Sequence, residues 1–194
     1  MADRSATAAL LGGVALLERA INYTLGSLLL VTPQLMSRPT PCQDWDLRTL
    51  LIHMNDSFDA LCEAVDDGQV SLTPSEFDRD ADPVAALRDR ACRLMGAWAG
   101  GTPPDLVAIA GCPVTASIVS TAGAMEIAVH GWDVAAACGQ RRPIPDELAE
   151  EMLDLAPLFV TDADRPVRFA APVPVPADAR PADRLLGFLG RQPR

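Results

Sequence analysis

The sequence predicts an all-α protein, an up-down four-helix bundle with an additional C-terminal helix and a short extended tail. In four long segments, apolar residues recur at three- and four-residue steps, which is the period of a helix with one buried face. Short stretches rich in Pro, Gly and Asp separate these segments, and helices joined by short loops pack side by side in bundles. We therefore expect one domain over 1–194, with the bundle at about 5–160 and the tail and short helix at about 161–194.

The N-terminal half carries three of the long helices. The first ends before Pro33, because proline lacks a backbone donor and its ring clashes with the preceding turn. The second begins where Asp44 or Asp46 can accept hydrogen bonds from the free N–H groups of its first turn. Pro83 suits the first turn of the third helix, where its missing N–H costs nothing. We predict these helices at about 5–30, from Asp44 or Asp46 to about 65, and at 83–100.

The C-terminal half carries the fourth long helix and several shorter elements. Thr115 or Ser117 can cap the fourth helix, and Gly139 lies where it should end. Alternating prolines in the tail disfavour helix in the residue before each of them, so that stretch should be extended. We predict a short extended segment at 106–110, helices at about 116–138, 144–158 and 181–189, and extended chain at 172–176.

Composition narrows the class of protein. Of the 194 residues, 49% are hydrophobic and 22% are charged, which is typical of a soluble globular domain with a substantial core. The formal net charge of -10 argues against nucleic acid as a partner, because binding to the phosphate backbone needs clustered Lys and Arg. The most apolar N-terminal stretch contains polar residues and a proline, so we expect a helix facing the core and no membrane partner.

The cysteines and the N-terminus predict a cytoplasmic setting. The five cysteines are an odd number, are widely spaced and include no C-x-x-C pair, which favours free thiols in a reducing compartment. The N-terminus lacks the basic stretch and the continuous apolar segment of a secretory signal. The oligomeric state expected is a monomer or a homodimer.

The chain contains only two histidines, and each lies near a Trp-Asp pair. Glu126 lies four residues before His130, so both side chains can point at one ion from the same face of the fourth helix. His53 would supply a third donor from the second helix. Two imidazoles and one carboxylate suit a divalent ion such as Zn²⁺ or Fe²⁺ and leave coordination positions open, as in catalytic metal sites.

The surroundings of Glu126 favour this interpretation over a simpler one. From 116 to 137 the only ionisable residues are Glu126, His130 and Asp133, in a helix that is otherwise apolar. A buried carboxylate without a partner is costly, and a metal ion would satisfy it. The simpler alternative is a hydrogen-bonded core histidine with a Glu–His ion pair, since a dense signature such as H-E-x-x-H is absent.

Other residues near these positions are weaker candidates. Asp133 lies three residues after His130 and could orient its imidazole by accepting a hydrogen bond. Alternatively, Asp133 could pair with Arg48 and tie two helices together. Cys42 could act as a nucleophile, but a cysteine beside a proline at a helix entrance favours a structural role. The candidates for contacts with a substrate are Arg48, Asn55, Ser57 and Trp132.

Three motifs together resemble a known family. They are Pro39-Thr-Pro-Cys-x-x-Trp-Asp-x-Arg-x-Leu-x-x-His53, Glu126-x-x-x-His130-Gly-Trp-Asp, and a Pro-Val-Pro-Val-Pro tail followed by Asp183-Arg-Leu-Leu-x-Phe-Leu-Gly190. In this order, over nearly the whole chain, they resemble the actinobacterial metal-binding branch of the DinB-like superfamily, related to the mycothiol-dependent maleylpyruvate isomerases. The resemblance implies a DinB-like four-helix bundle with His53, Glu126 and His130 as ligands, usually of zinc.

The resemblance also implies a class of chemistry. Characterised relatives use the low-molecular-weight thiol mycothiol, and a thiol coordinated to a metal ion is deprotonated and nucleophilic at neutral pH. We therefore expect a metal-dependent isomerase or thiol transferase that activates a thiol, or water, against a small electrophilic substrate. The tail is expected to be too short for the additional C-terminal domain of the isomerases. Two alternatives stay open: a thiol-independent Lewis-acid tailoring enzyme, and a non-catalytic bundle that binds a metal or ligand.

Overall fold

A computed structural model describes residues 2–42, 44–71, 73, 81–100, 104–165 and 167–193. The predicted all-α class is confirmed, and the helix bounds lie close to those expected from the sequence. The helices are α1 (Ala2–Leu28), α2 (Leu47–Asp66), α3 (Pro83–Gly100), α4 (Ala116–Ala137), α5 (Asp146–Phe159) and α6 (Pro181–Phe188).

Helix α4 lies at the centre of the bundle. It packs along α1 and also contacts α2 and α5, and most of its residues are buried. Two glycines permit this close packing, because a Cβ at Gly131 would collide with Thr24 of α1, and one at Gly123 would collide with Leu61 of α2. Thr24 Oγ1 instead donates a hydrogen bond to Ile127 O at 2.8 Å. The helix that carries Glu126 and His130 is therefore fixed on several sides.

The start of helix α2 is set by Asp46, one of the two residues predicted to cap it. Asp46 Oδ1 accepts hydrogen bonds from Thr49 N at 2.8 Å and Thr49 Oγ1 at 2.6 Å. Asp44 instead adopts a positive φ of 66° in the preceding turn. With α2 beginning at Leu47, His53 lies in its second turn and faces α4.

A small three-stranded sheet flanks the helices. The predicted extended segment at 106–110 is confirmed, whereas its two partner strands were not predicted from the sequence. The central and last strands form an antiparallel hairpin in which Leu106 pairs with Thr115, closed by Ala110 and Gly111 at φ values of 51° and 77°. Two successive residues with positive φ are typical of a tight hairpin loop. The strands are β1 (Gln69–Val70), parallel to β2 (Leu106–Ile109), and β3 (Cys112–Thr115).

The tail after α5 returns along the bundle and ends in α6, which packs against α5. Val173 N donates to Gly187 O at 2.8 Å, and Arg180 forms an ion pair with Asp146 at 3.0 Å. The extended 172–176 stretch and the short last helix agree with expectation. This path brings the residues that follow α6 back to the centre of the bundle.

One main hydrophobic cluster draws buried side chains from all six helices. The prediction of a single domain over the whole chain stays a prediction. Within the described residues, no helix is both long enough and apolar enough to cross a membrane.

Candidate metal centre

Three donor side chains from two helices meet at one point beside α4. His53 Nε2 lies 2.6 Å from Glu126 Oε1, and His130 Nε2 lies 3.1 Å from the same oxygen. The two imidazole rings are nearly perpendicular, with centroids 5.1 Å apart. The potential ligand atoms of all three residues lie within 4.8 Å of one another. The structure therefore brings together the three residues that the sequence suggested as ligands.

The chemistry of this donor set fits a divalent metal ion. Tetrahedral zinc, with Zn–N and Zn–O bonds of about 2.0–2.2 Å, holds its ligand atoms about 3.4 Å apart. The two imidazole–carboxylate distances of 2.6 and 3.1 Å are slightly shorter, so a small outward movement of Glu126 would admit the ion. His53 and Glu126 keep 37% and 36% of their side-chain surface exposed, whereas His130 keeps 8%. A further ligand can therefore approach from the side of His53 and Glu126.

The electrostatics of the site favour a positive charge beside Glu126. Burial alone would raise the pKa of the Glu126 carboxyl, but the charge of His130 and hydrogen bonds from His130 and His53 hold it well below its usual range. Burial alone would lower the pKa of His130, but Glu126 and a hydrogen bond to Asp133 raise it well above its usual value. A histidine must lose one ring proton before it can bind a metal ion. At His130 the positive charge of the ion would then replace the charge of that proton beside Glu126.

Asp133 contacts the imidazole of His130, as expected from the first of the two roles considered for it in the sequence. Its Oδ2 accepts a hydrogen bond from His130 Nδ1 at 2.9 Å, which leaves Nε2 of the ring directed at Glu126. The alternative interpretation paired Asp133 with Arg48, whereas the structure shows an ion pair between Asp133 and Arg191 at 3.0 Å. Arg48 lies in the first turn of α2, where its backbone N–H donates to Met36 O at 2.9 Å.

Ser57 and Trp45 complete the surroundings of the donors. Ser57 Oγ lies 3.2 Å from Glu126 Oε1, so the hydroxyl can donate to the carboxylate. The ring centroid of Trp45 lies 4.8 Å from that of His53 and 6.4 Å from that of His130. Trp45 therefore forms an aromatic wall beside both imidazoles, and Ser57 is a predicted substrate contact that the structure places at the donors.

The structure does not bring Asn55 to the site. Asn55 lies two residues after His53, and residues two apart on a helix point in different directions. Its side chain is fully buried, and Nδ2 donates to Leu51 O at 2.8 Å and to Pro83 O at 3.0 Å. Asn55 thus ties α2 to the first residue of α3 instead of facing a substrate.

Trp132 also lies away from the three donors, for the same reason. It follows His130 by two residues and lines a separate cavity of about 240 Å³ between the end of α4 and α6. The cavity has a basic character, because its lining includes Arg141, Arg142 and Arg180 beside the single carboxylate of Asp183.

Two contacts of the site were missed from the sequence. Cys42, for which we favoured a structural role, has its Sγ 3.2 Å from Asp133 Oδ2 and 3.6 Å from His130 Nδ1. Cys42, His130 and Asp133 form a second group of potential ligands, but the Arg191 guanidinium already occupies it and disfavours a second cation there. The second missed contact is the ion pair of Asp133 with Arg191. The first motif contains Cys42, whereas no local sequence pattern connects Asp133 with Arg191, which lies 58 positions later.

Fold and donor set together define a helical-bundle protein with a candidate His₂Glu metal centre. Residues 17–135 match the sequence model of the mycothiol maleylpyruvate isomerase N-terminal domain. The match covers more than half of the chain and contains all three donors, so the chain belongs to this family. The resemblance inferred from the three motifs is thereby confirmed.

Two curated relatives extend the similarity to nearly the whole chain. They are the uncharacterized proteins Rv0738 and MT0763 of Mycobacterium tuberculosis, from strains H37Rv and CDC 1551. Each is 29% identical over 182 residues, which cover 91% of this chain and 96% of the relative. Their actinobacterial source agrees with the branch that the motifs indicated.

Proposed function

We propose that this protein is a metal-dependent enzyme that activates mycothiol at a zinc site formed by His53, Glu126 and His130. The observation that carries the proposal is the convergence of these three donors, on two helices, with one side open to solvent. The family supports the thiol, since its name refers to a mycothiol-dependent isomerase. The substrate class is a small electrophile, which undergoes isomerisation, addition or transfer.

Each neighbour of the donors has a definite part in this proposal. A bound zinc ion would supply a Lewis acid that keeps a coordinated thiol deprotonated at neutral pH. The Ser57 hydroxyl lies 3.2 Å from both Glu126 Oε1 and His53 O and can donate its proton to the carboxylate, and Asp133 directs Nε2 of His130 inward. Trp45 presents an apolar surface beside His53, which shields that side of the open position from water.

Isomerisation and transfer both proceed from a thiolate without an added oxidant or reductant. In isomerisation, the thiolate adds to a conjugated double bond, the resulting single bond rotates, and the same thiolate leaves as the double bond forms again. In transfer, the new carbon–sulfur bond is kept and a leaving group departs with the electron pair. Both reactions need one thiolate beside one bound substrate, which is what a three-donor site with an open side can provide.

Metal content tests the site directly. We expect the purified protein to hold about one divalent ion per chain, and the variants His53→Ala, Glu126→Ala and His130→Ala to lose most of it. Elemental analysis measures the content. Glu151→Ala is the matched control, because it removes a carboxylate from an exposed ion pair with Arg19 and should keep the ion. Equal metal content in all five proteins would overturn the site.

Thiol coordination needs its own test. We expect the Co²⁺-substituted protein to develop a sulfur-to-metal charge-transfer absorption when titrated with mycothiol, and a weaker one with glutathione. A band that His130→Ala lacks under the same conditions is assigned to a thiolate on the ion at this site and not to a Co²⁺–thiol complex in solution. With the metal fully bound, an unchanged spectrum at millimolar thiol would contradict thiol activation and would indicate water or substrate at the open position.

A further inference from the structure

Arg191 connects the C-terminal segment to the candidate metal centre. Its NH2 lies 3.0 Å from Asp133 Oδ2 and its Nε lies 3.5 Å from Asp133 Oδ1. Oδ2 is also the oxygen that accepts the hydrogen bond from His130 Nδ1. The Asp133 side chain is fully buried and that of Arg191 is 12% exposed. A continuous row of polar contacts thus runs from Arg191 through Asp133 and His130 to Glu126.

The backbone around Arg191 holds the guanidinium in place. Arg191 N donates to Leu186 O at 2.8 Å, and Arg191 NH1 donates to Leu189 O at 3.1 Å. Gly190 turns the chain here with a φ of 79°, and a Cβ at this position would collide with Ala170. The end of α6 is also held by Arg165, whose NH2 donates to Phe188 O at 2.7 Å. The guanidinium is therefore directed at Asp133 by the fold of the tail.

The geometry of the contact suits a role in orientation. A guanidinium has donors in a fixed planar fork, so two contacts to one carboxylate define the plane of that carboxylate as well as its charge. In Asp133 this plane aims Oδ2 at His130 Nδ1. Without Arg191, Cys42 Sγ and His130 Nδ1 would both still contact Oδ2, but the fork that fixes the plane of the carboxylate would be gone, and the imidazole would be oriented less firmly.

We propose that Arg191 is a positioning residue of the metal centre, which sets the orientation of His130 through Asp133 and so raises the affinity of the site for its ion. The inference rests on the proposed function, because it requires His130 to be a ligand. Arg191 lies outside the 17–135 region that matches the family domain. The segment after that domain would thus contribute to the site that the domain carries.

The test compares the metal affinity of the wild type with that of Arg191→Gln and Arg191→Lys. We expect Arg191→Gln to bind Zn²⁺ about 10-fold more weakly, the lower end of the range for direct partners of a metal-bound histidine, because Arg191 acts through Asp133. Arg191→Lys should lie between the two, because the charge is kept and the fork is lost. Competition with a chromophoric chelator measures the affinity. The visible absorption bands of the Co²⁺ forms report ligand geometry, which a purely structural role would not alter.

Arg180→Gln is the matched control. Arg180 belongs to the same C-terminal segment and makes a two-pronged ion pair with Asp146, but this pair is exposed and joins the start of α6 to the start of α5. The substitution removes the same charge and should leave metal affinity and the Co²⁺ spectrum unchanged. Circular dichroism at the temperature of the titration verifies that each variant is folded.

The outcomes separate this inference from the proposed function. If the wild type binds Zn²⁺ and Arg191→Gln binds it equally well with an unchanged Co²⁺ spectrum, the positioning role is overturned. If Arg191→Gln does not fold, Arg191→Lys decides, since wild-type affinity and spectrum in that variant contradict the need for the fork. If the wild type binds no ion, the proposed function fails first and this inference falls with it.

Discussion

Ser57 shares the face of α2 that carries His53, and its hydroxyl reaches the Glu126 carboxylate. One turn of helix separates the two residues, so a donor and a side chain that supports another donor lie next to each other. Asn55, between them in sequence, is directed into the contact with α3. On α2, a shift of two positions thus distinguishes a residue at the site from one that holds the bundle together.

Replacing Ser57 by alanine should weaken metal binding modestly. The hydroxyl contributes one hydrogen bond to the Glu126 carboxylate, and its loss should lower the affinity for Zn²⁺ about threefold to tenfold, as expected for one net hydrogen bond. Chelator competition measures the change. Ser120→Ala is the control, because that buried hydroxyl on α4 donates to Ala116 O and should not affect the ion. An equal effect of both substitutions would contradict a local role of Ser57.

Helix α2 depends on its N-terminal cap, which also fixes the position of His53. We expect Asp46→Ala to lower the free energy of unfolding by about 1 kcal/mol, because two donors of the first turn lose their acceptor. Asp46→Asn keeps an acceptor and should retain most of the stability. Denaturant unfolding of the three proteins at pH 7 measures both effects. Similar losses in both variants would show that the charge matters more than the cap.

The contribution of Asp46 should also depend on pH. Hydrogen bonds from the Thr49 side chain and backbone lower the pKa of the Asp46 carboxyl in the folded protein. A lowered pKa means that the ionised group stabilises the fold above its unfolded pKa, and that this stabilisation is lost as the pH falls through the lowered value. The difference in stability between wild type and Asp46→Ala should therefore narrow in acid.

Two glycine-to-alanine substitutions test the close contact between α1 and α4. Gly131→Ala should destabilise the protein by about 1–3 kcal/mol, because the added methyl group would overlap Thr24 in a tightly packed contact. Gly96→Ala, in α3 with open space around it, should instead stabilise by about 0.5–1 kcal/mol through helix propensity. Thermal melts give the signs, and equal signs would contradict the close approach of the two helices.

Helix positions could be predicted from the sequence because their signals are local. The bounds of α3, at 83–100, follow from one proline and one apolar period. The sheet was only partly predicted, because β1 has two residues, β3 includes Pro113, and neither is long enough to show a period. These strands form through pairing with β2, which a short window of sequence does not reveal.

The three candidate donors could also be predicted, since two of them are four residues apart and the third is the only other histidine. The partner of Asp133 could not. Any of the sixteen arginines could pair with Asp133 as far as the sequence shows. The pairing with Arg191 depends on the path of the tail and on the turn at Gly190. Charge pairs between distant elements are determined by packing and are not visible as spacing.

At the scale of the whole molecule, one apolar cluster joins all six helices without help from the donors. We therefore expect chelation to abolish activity and thiol binding while leaving the helical circular dichroism largely intact. The melting temperature should fall only by the amount that ion binding contributes through mass action. Structural zinc domains behave in the opposite way and unfold without their metal. Global unfolding of the metal-free protein at room temperature would contradict this prediction.

The unequal exposure of the three donors has a kinetic consequence. His130 is nearly sealed inside the bundle, whereas His53 and Glu126 each present more than a third of their side-chain surface to solvent. An ion held by the three donors can therefore leave stepwise, first from the two exposed ligands, without any separation of α4 from its neighbours. For an ion bound at the proposed site, we expect the residence time to be set by the breaking of individual coordination bonds and to be independent of the lifetime of the folded bundle.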